Sequence, residues 1–309
     1  MNRKPRMTGR SILLILICFG FLTGSCNRSG KKAGETTGAE FELTGAIDPE
    51  TQEQINTAKR IFYSLPSPLE TAMLIKNAGA EYDERLLNPV ENTPLYITAR
   101  SRALNLGIYS TDLSYASLFD QTQATLNYIE AAKAMADGLN ILDAIDEETM
   151  ERLENNINNR DVIIDIISET LMNSSSYLKE NDLEATAAVV LVGGWMEGLY
   201  IATNLVGEGQ LKGNKLVERI VDQKLTLGII MGLLEQYTDD EDARSVMNDV
   251  KALKTIFDKI TIQQGEVTAV EDPETNVTTL RSESSIQITR EVFNELRSRV
   301  GKIRSSYIS

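Results

Sequence analysis

Apolar residues recur along most of this chain at the three- and four-residue spacing that lines one side of an α-helix, and helix-start residues precede them repeatedly. Asp48-Pro49 places a capping residue before a proline suited to a first helical turn. Ser67-Pro68-Leu69-Glu70 has the form of a capping box, opening a second helix that ends at Gly79. Thr93-Pro94 starts a long helix to about Ser117, and residues 120–123 cap another that runs to Asp137. The spacing predicts further helices over 147–158, 160–179, 183–206, 214–236, 240–260 and 286–306. The connections are short, so the expected fold class is all-α: an antiparallel helical bundle of about ten helices built from αα-hairpins, in a single domain over 48–309. One segment departs from the helical period. Val267, Val270, Val277 and Leu280 flank Asp272-Pro273-Glu274-Thr275-Asn276, which predicts one small β-hairpin over 266–281.

The helix over 183–206 is the most apolar one after residue 26 and is expected at the centre. On it Gly194, Gly198 and Ala202 form a stripe of small residues. Ala103, Gly107, Ser110, Ser114 and Ser117 form another on the helix after Pro94, and Gly228 with Gly232 a third. Such stripes suit close approach of two helix backbones; a cavity between those helices is the other reading. Thr186, Gly193, Glu197, Tyr200 and Asn204 share one narrow sector of the same central helix. Glu197, Tyr200 and Asn204 are therefore candidate ligand-facing residues, unless that sector is where the helix meets water.

Other clusters carry less. Asp161, Asp165 and Glu169 oppose Ile163, Ile166, Ile167 and Leu171 and read as a solvated face, while Asp239 to Asp242 stand where a helix begins. Ser176-Tyr177-Leu178-Lys179 matches a Ser-x-x-Lys pattern without the Lys-Thr-Gly that accompanies it in penicillin-binding enzymes. Gly207, Gly209 and Gly213 follow a helix, not a strand, and read as an interhelical turn. Leu104-Asn105-Leu106-Gly107-Ile108 echoes Leu225-Thr226-Leu227-Gly228-Ile229, at a separation far outside any solenoid period.

The N-terminus changes the picture. Arg3, Lys4, Arg6 and Arg10 precede an apolar run from Ile12 to Leu22, which is about half the roughly 20 residues a membrane-spanning helix needs, so it reads as a cleaved signal over 1–25. Leu22-Thr23-Gly24-Ser25-Cys26 resembles the lipobox of bacterial lipoproteins, with Leu four rather than three places before the Cys. The resemblance implies lipidation of Cys26, cleavage before it, and a membrane as partner through that lipid. An ordinary secretory signal with a Cys near its cleavage site is the other reading. Asn27, where the family places Asp for inner-membrane retention, points to the outer membrane facing the periplasm. Residues 27–46 are rich in Gly, Ser, Thr and Lys and form a flexible tether with a reach on the order of 25 Å.

Charge and composition then narrow the chemistry. The signal holds four of the 31 basic residues and none of the 45 acidic ones, so removing it leaves 27 against 45, a net charge near −18. A surface of that sign repels phosphate backbones, so no nucleic acid is expected as a partner. The chain has no histidine, and its cysteines are Cys18 and Cys26 alone. That removes His- and Cys-based nucleophiles and the usual zinc and haem ligand sets; no catalytic, metal or cofactor residues are assigned and no cofactor is expected.

Residues 104–123 resemble a stretch of uncharacterised all-helical lipoproteins of Bacteroidota-type bacteria, a resemblance that brings no activity with it. The expected function is a non-enzymatic, lipid-anchored binding or scaffold protein of the cell envelope, with an envelope protein or glycan as partner. The alternative is a carboxylate-dependent hydrolase such as a glycosidase, which needs only two suitably spaced acids.

Overall fold

The computed structural model describes residues 68–141, 147–156, 183–209, 211–263, 267–271, 278–282 and 285–309, together with 159, 162, 163 and 166. These residues form an all-α helical bundle. The α-helices are α1 (Pro68–Asn77), α2 (Ala99–Leu118), α3 (Thr122–Gly138), α4 (Glu147–Asn155), α5 (Glu184–Leu205), α6 (Lys215–Leu234), α7 (Glu241–Phe257) and α8 (Arg290–Tyr307). The helix expected after Asp48, most of the one over 160–179, and residues 176–179 lie outside the described residues, as do Asp161, Asp165, Glu169 and Cys26.

Helix ends follow local chemistry. α1 stops before Gly79, whose φ of +84° suits a residue without a side chain, as the sequence implied. The long helix does not start at Thr93-Pro94. Those residues sit in a 3-10 turn, Val90–Leu95, where the Thr93 hydroxyl donates to Val90 O at 2.7 Å. α2 begins five residues later because Thr98 and Ser101 form the capping box: Thr98 Oγ1 accepts from Ser101 N at 3.0 Å, and Ser101 Oγ accepts from Thr98 N at 3.1 Å. Thr98→Ala is expected to lower stability by about 1 kcal/mol and the melting temperature by a few degrees, read by circular dichroism. α3 starts where expected, but with no side-chain cap: Asp120 adopts a left-handed turn (φ 59°) and Gln121 takes the capping position. Asp240 caps α7 by accepting from Ala243 N at 2.8 Å, with Glu241 and Asp242 in the first turn, so this acidic run is a helix start.

The two strands of the expected hairpin are present, within one residue of the predicted span. β2 (Val267–Glu271) pairs antiparallel with β3 (Thr278–Ser282), from Val267 opposite Ser282 to Glu271 opposite Thr278. A second pair, β1 (Thr261–Gln263) with β4 (Ser285–Gln287), has no counterpart in the expected pattern. Because Ser285–Gln287 is taken up by that pairing, α8 starts at Arg290 and not at 286, with Thr289 accepting from Val292 N at 3.3 Å.

α5 is central, as its composition implied: it packs against α1, α2, α6, α7 and α8, most closely against α2. By length and composition it could cross a membrane, yet 67% of its apolar window is buried inside the bundle. The α2–α5 approach depends on glycine. A Cβ on Gly107 would overlap Val190 O and lie 2.6 Å from Gly194 N, and one on Gly193 would overlap Leu104 O. The small residues therefore serve close packing, and Gly193 belongs to that contact. Gly228 and Gly232 on α6 do not: nothing lies within 4 Å of a Cβ at either. The echo between 104–108 and 225–229 is likewise not structural, since Leu104 is buried and Leu225 is 73% exposed.

Candidate functional site

Glu197 lies on α5 one turn past the glycine contact, between the buried Met196 and Gly198, and has 0% exposure. It meets neither water nor a cleft. Arg304, from the last turns of α8, grips it with both arms of its guanidinium, Nε to Oε2 at 2.9 Å and Nη2 to Oε1 at 2.9 Å. This fork is the geometry in which Arg and a carboxylate bind most strongly. The same Nη2 donates to Leu86 O at 3.2 Å, and the guanidinium carbon lies 4.6 Å from the centroid of the Tyr200 ring. Tyr200 thus faces Arg304, and Asn204, half-buried, donates its amide back to Tyr200 O at 2.8 Å.

A second carboxyl group joins them. Asp112 on α2 has 0% exposure; its Oδ2 accepts from the backbone N–H of Asn88 at 3.0 Å, while Oδ1 has no hydrogen-bond partner among the described residues. Burial pushes the Asp112 carboxyl well above the usual range and the Glu197 charge adds to this, with Arg304 pulling the other way. Burial also raises Glu197, opposed by the charge and hydrogen bonds of Arg304. Burial works against the Arg304 charge, but Glu197 and Asp112 outweigh it and keep the guanidinium protonated.

A hydrogen-bonded network continues from there. The Asn88 amide donates to Asn105 Oδ1 and to Tyr96 Oη, both at 3.0 Å, and the Asn105 amide donates to Tyr307 O at 2.8 Å. Tyr307 Oη donates to Asp249 Oδ2 at 2.9 Å, with Arg100 3.8 Å from the same oxygen. The end of α8 is thereby held to α2, to α7 and to the segment before α2.

The sequence drew attention to Glu197 and Tyr200 but missed Asp112, Arg304, Asn88 and Asn105. Two signals were there to be used. Asp112 is the one acid within Ala99–Leu118, and Arg304 follows Val300 by four residues and so falls on the apolar stripe of Phe293, Leu296, Val300 and Tyr307.

Asp112 and Glu197 are the two acids that a hydrolytic reading would require side by side. Both are sealed from solvent and Arg304 occupies Glu197, so no substrate approaches either in this arrangement. Among the described residues, no three metal-binding side chains come together. A surface depression of about 280 Å³ lies between α6 and α7, lined by Leu234, Glu235, Thr238, Arg244, Met247 and Lys251 among others; it shares no residue with the buried cluster.

Together the fold and site define an all-α bundle with an ionic joint inside it. Comparison with protein-family models, with curated proteins and with solved structures found no match.

Proposed function

We propose that this chain is a lipid-anchored protein of the cell envelope that works by binding or scaffolding, with an envelope protein or glycan as partner. The observation that carries the reading is the N-terminal order of basic residues, short apolar run and Leu22-Thr23-Gly24-Ser25-Cys26, followed by a polar stretch long enough to act as a tether. The buried site supports it from another side: the two fully buried carboxyls of the described bundle are spent on each other and on Arg304, so they hold helices together.

The anchor has a direct test. Expressed in a bacterial host, the full chain is expected in the membrane fraction with its first 25 residues removed, and Cys26→Ser is expected to be released to the soluble fraction with an unchanged circular dichroism spectrum. A Cys26→Ser protein that is cleaved and still sediments with membranes counts against lipid anchoring. Crosslinking from the anchored wild type then identifies the envelope protein or glycan.

A further inference from the structure

Where α2, α5 and α8 meet, two carboxyl groups lie within the field of one guanidinium, and none of Asp112, Glu197 and Arg304 is more than 6% exposed. Arg304 satisfies both oxygens of Glu197. Asp112 Oδ2 receives the Asn88 N–H, whereas Oδ1 has no hydrogen-bond partner among the described residues, and the Asp112 and Glu197 carboxyl groups are neighbours. With both acids ionised, this joint would hold one surplus negative charge away from water, and the two neighbouring carboxylates would meet as acceptors with no proton between them. A buried charge without a counter-charge is strongly unfavourable, and two adjacent carboxylates in such a place retain a proton between them. A proton on Asp112 removes both conflicts at once. It cancels the surplus charge and turns two neighbouring acceptors into a short, charge-assisted O–H···O bond.

We propose that Asp112 is held as a neutral carboxylic acid donating its O–H to Glu197, so that this proton is a structural part of the joint on which α8 closes over the α2–α5 pair. Glu197 keeps the negative charge because both donors of the Arg304 fork point at it. The ionisable groups around Asp112 are Glu197 from α5, Arg304 from α8, Tyr109 on its own helix, Tyr82 from the segment after α1 and Tyr128 from α3. Burial raises all three phenols, so they stay neutral while Asp112 titrates, and among the described residues Arg304 is the cation that acts on it.

The pH dependence has a fixed sign. In the unfolded chain an Asp ionises near about 3.9. The folded group ionises well above that. Above the lower value the folded state therefore holds a proton that the unfolded chain has released. The contribution of this site falls as pH rises, by about tenfold in the folding equilibrium per pH unit, and levels off once the folded group ionises. Loss of the proton sets the Asp112 charge of α2 against the Glu197 charge of α5.

Asp112→Asn keeps an acceptor for the Asn88 N–H and supplies an N–H to Glu197, without an ionisable proton. Infrared difference spectra of the full-length protein in detergent, wild type minus Asp112→Asn, are expected to show the C=O stretch of a protonated carboxyl at about pH 7, where an ordinary Asp is ionised. In parallel unfolding experiments between about pH 5 and pH 9, wild type is expected to lose stability relative to Asp112→Asn by about tenfold in equilibrium constant per pH unit until the band disappears. Asp249 is half-buried and also raised by its burial, so Asp249→Asn serves as the control in which the Asp112 band must remain. A band removed by Asp249→Asn, no protonated-carboxyl band in wild type at neutral pH, or parallel stability profiles for wild type and Asp112→Asn overturns the proposal. Should Asp112→Asn fail to fold, the comparison of wild type with Asp249→Asn decides: a band present in both supports the proposal, and a band absent from either overturns it.

Discussion

Arg304→Ala is expected to lower the stability of the folded protein by about 3–5 kcal/mol, the range seen when one partner of a buried ion pair is removed. Both oxygens of Glu197 would lose their donors in a place with no water to replace them, and Leu86 O and the face of Tyr200 would lose the same guanidinium. The loss has a pH signature. Without Arg304, the burial of Glu197 is opposed only by its hydrogen bond with Asp112 and its folded pKa rises further, so the mutant holds protons the unfolded chain has released and is weaker at about pH 8 than at about pH 5. Replacing both partners by methionine is expected to restore much of the stability, because two apolar side chains of similar size leave no charge unpaired. Urea unfolding of wild type and the two variants measures this. If Arg304→Ala stays within about 1 kcal/mol of wild type, the joint is not structural.

Gly107→Ala is the second large effect, by a different mechanism. The added methyl would overlap Val190 O and stand 2.6 Å from Gly194 N, and both are backbone atoms of α5 that cannot turn aside. The helices must separate, which disturbs Ile108, Val192 and Met196 in the core and draws Asp112 away from Glu197 one turn further on. The expected loss is about 3 kcal/mol or more, at the upper end of overpacking effects. Gly228→Ala is the matched control. Its Cβ meets nothing within 4 Å and its backbone is helical, so alanine there is expected to add up to about 1 kcal/mol. Equal effects at the two positions would show that helix propensity, and not the α2–α5 contact, governs both.

These two experiments also mark how far the sequence could be read. It placed α1, α3, α4, α6 and α7 within a few residues, because periodic apolar positions and capping residues are local signals. It misplaced the start of α2 because Thr93-Pro94 and Thr98–Ser101 both look like helix starts, and only the second makes the reciprocal bonds. It found β2 and β3 from their flanking valines, but β1 and β4 are three residues each and depend on partners more than twenty residues away. Three glycine stripes looked alike. Those of α2 and α5 meet in one helix contact and the third faces open space, since a glycine carries no side chain to say which.

What the sequence determined by itself is the all-α class, the apolar helix at its centre and the absence of histidine, all of which depend on composition and local periodicity. What only the tertiary structure decided is the partner of Glu197. From the sequence that carboxylate belonged to a sector of one helix that met either water or a ligand. In the folded chain it is closed off by Arg304, 107 residues away, and set beside Asp112, 85 residues before it. A charge's environment depends on which helices meet around it, and that meeting is fixed here by Gly107, Gly193 and Gly194 allowing two backbones to touch.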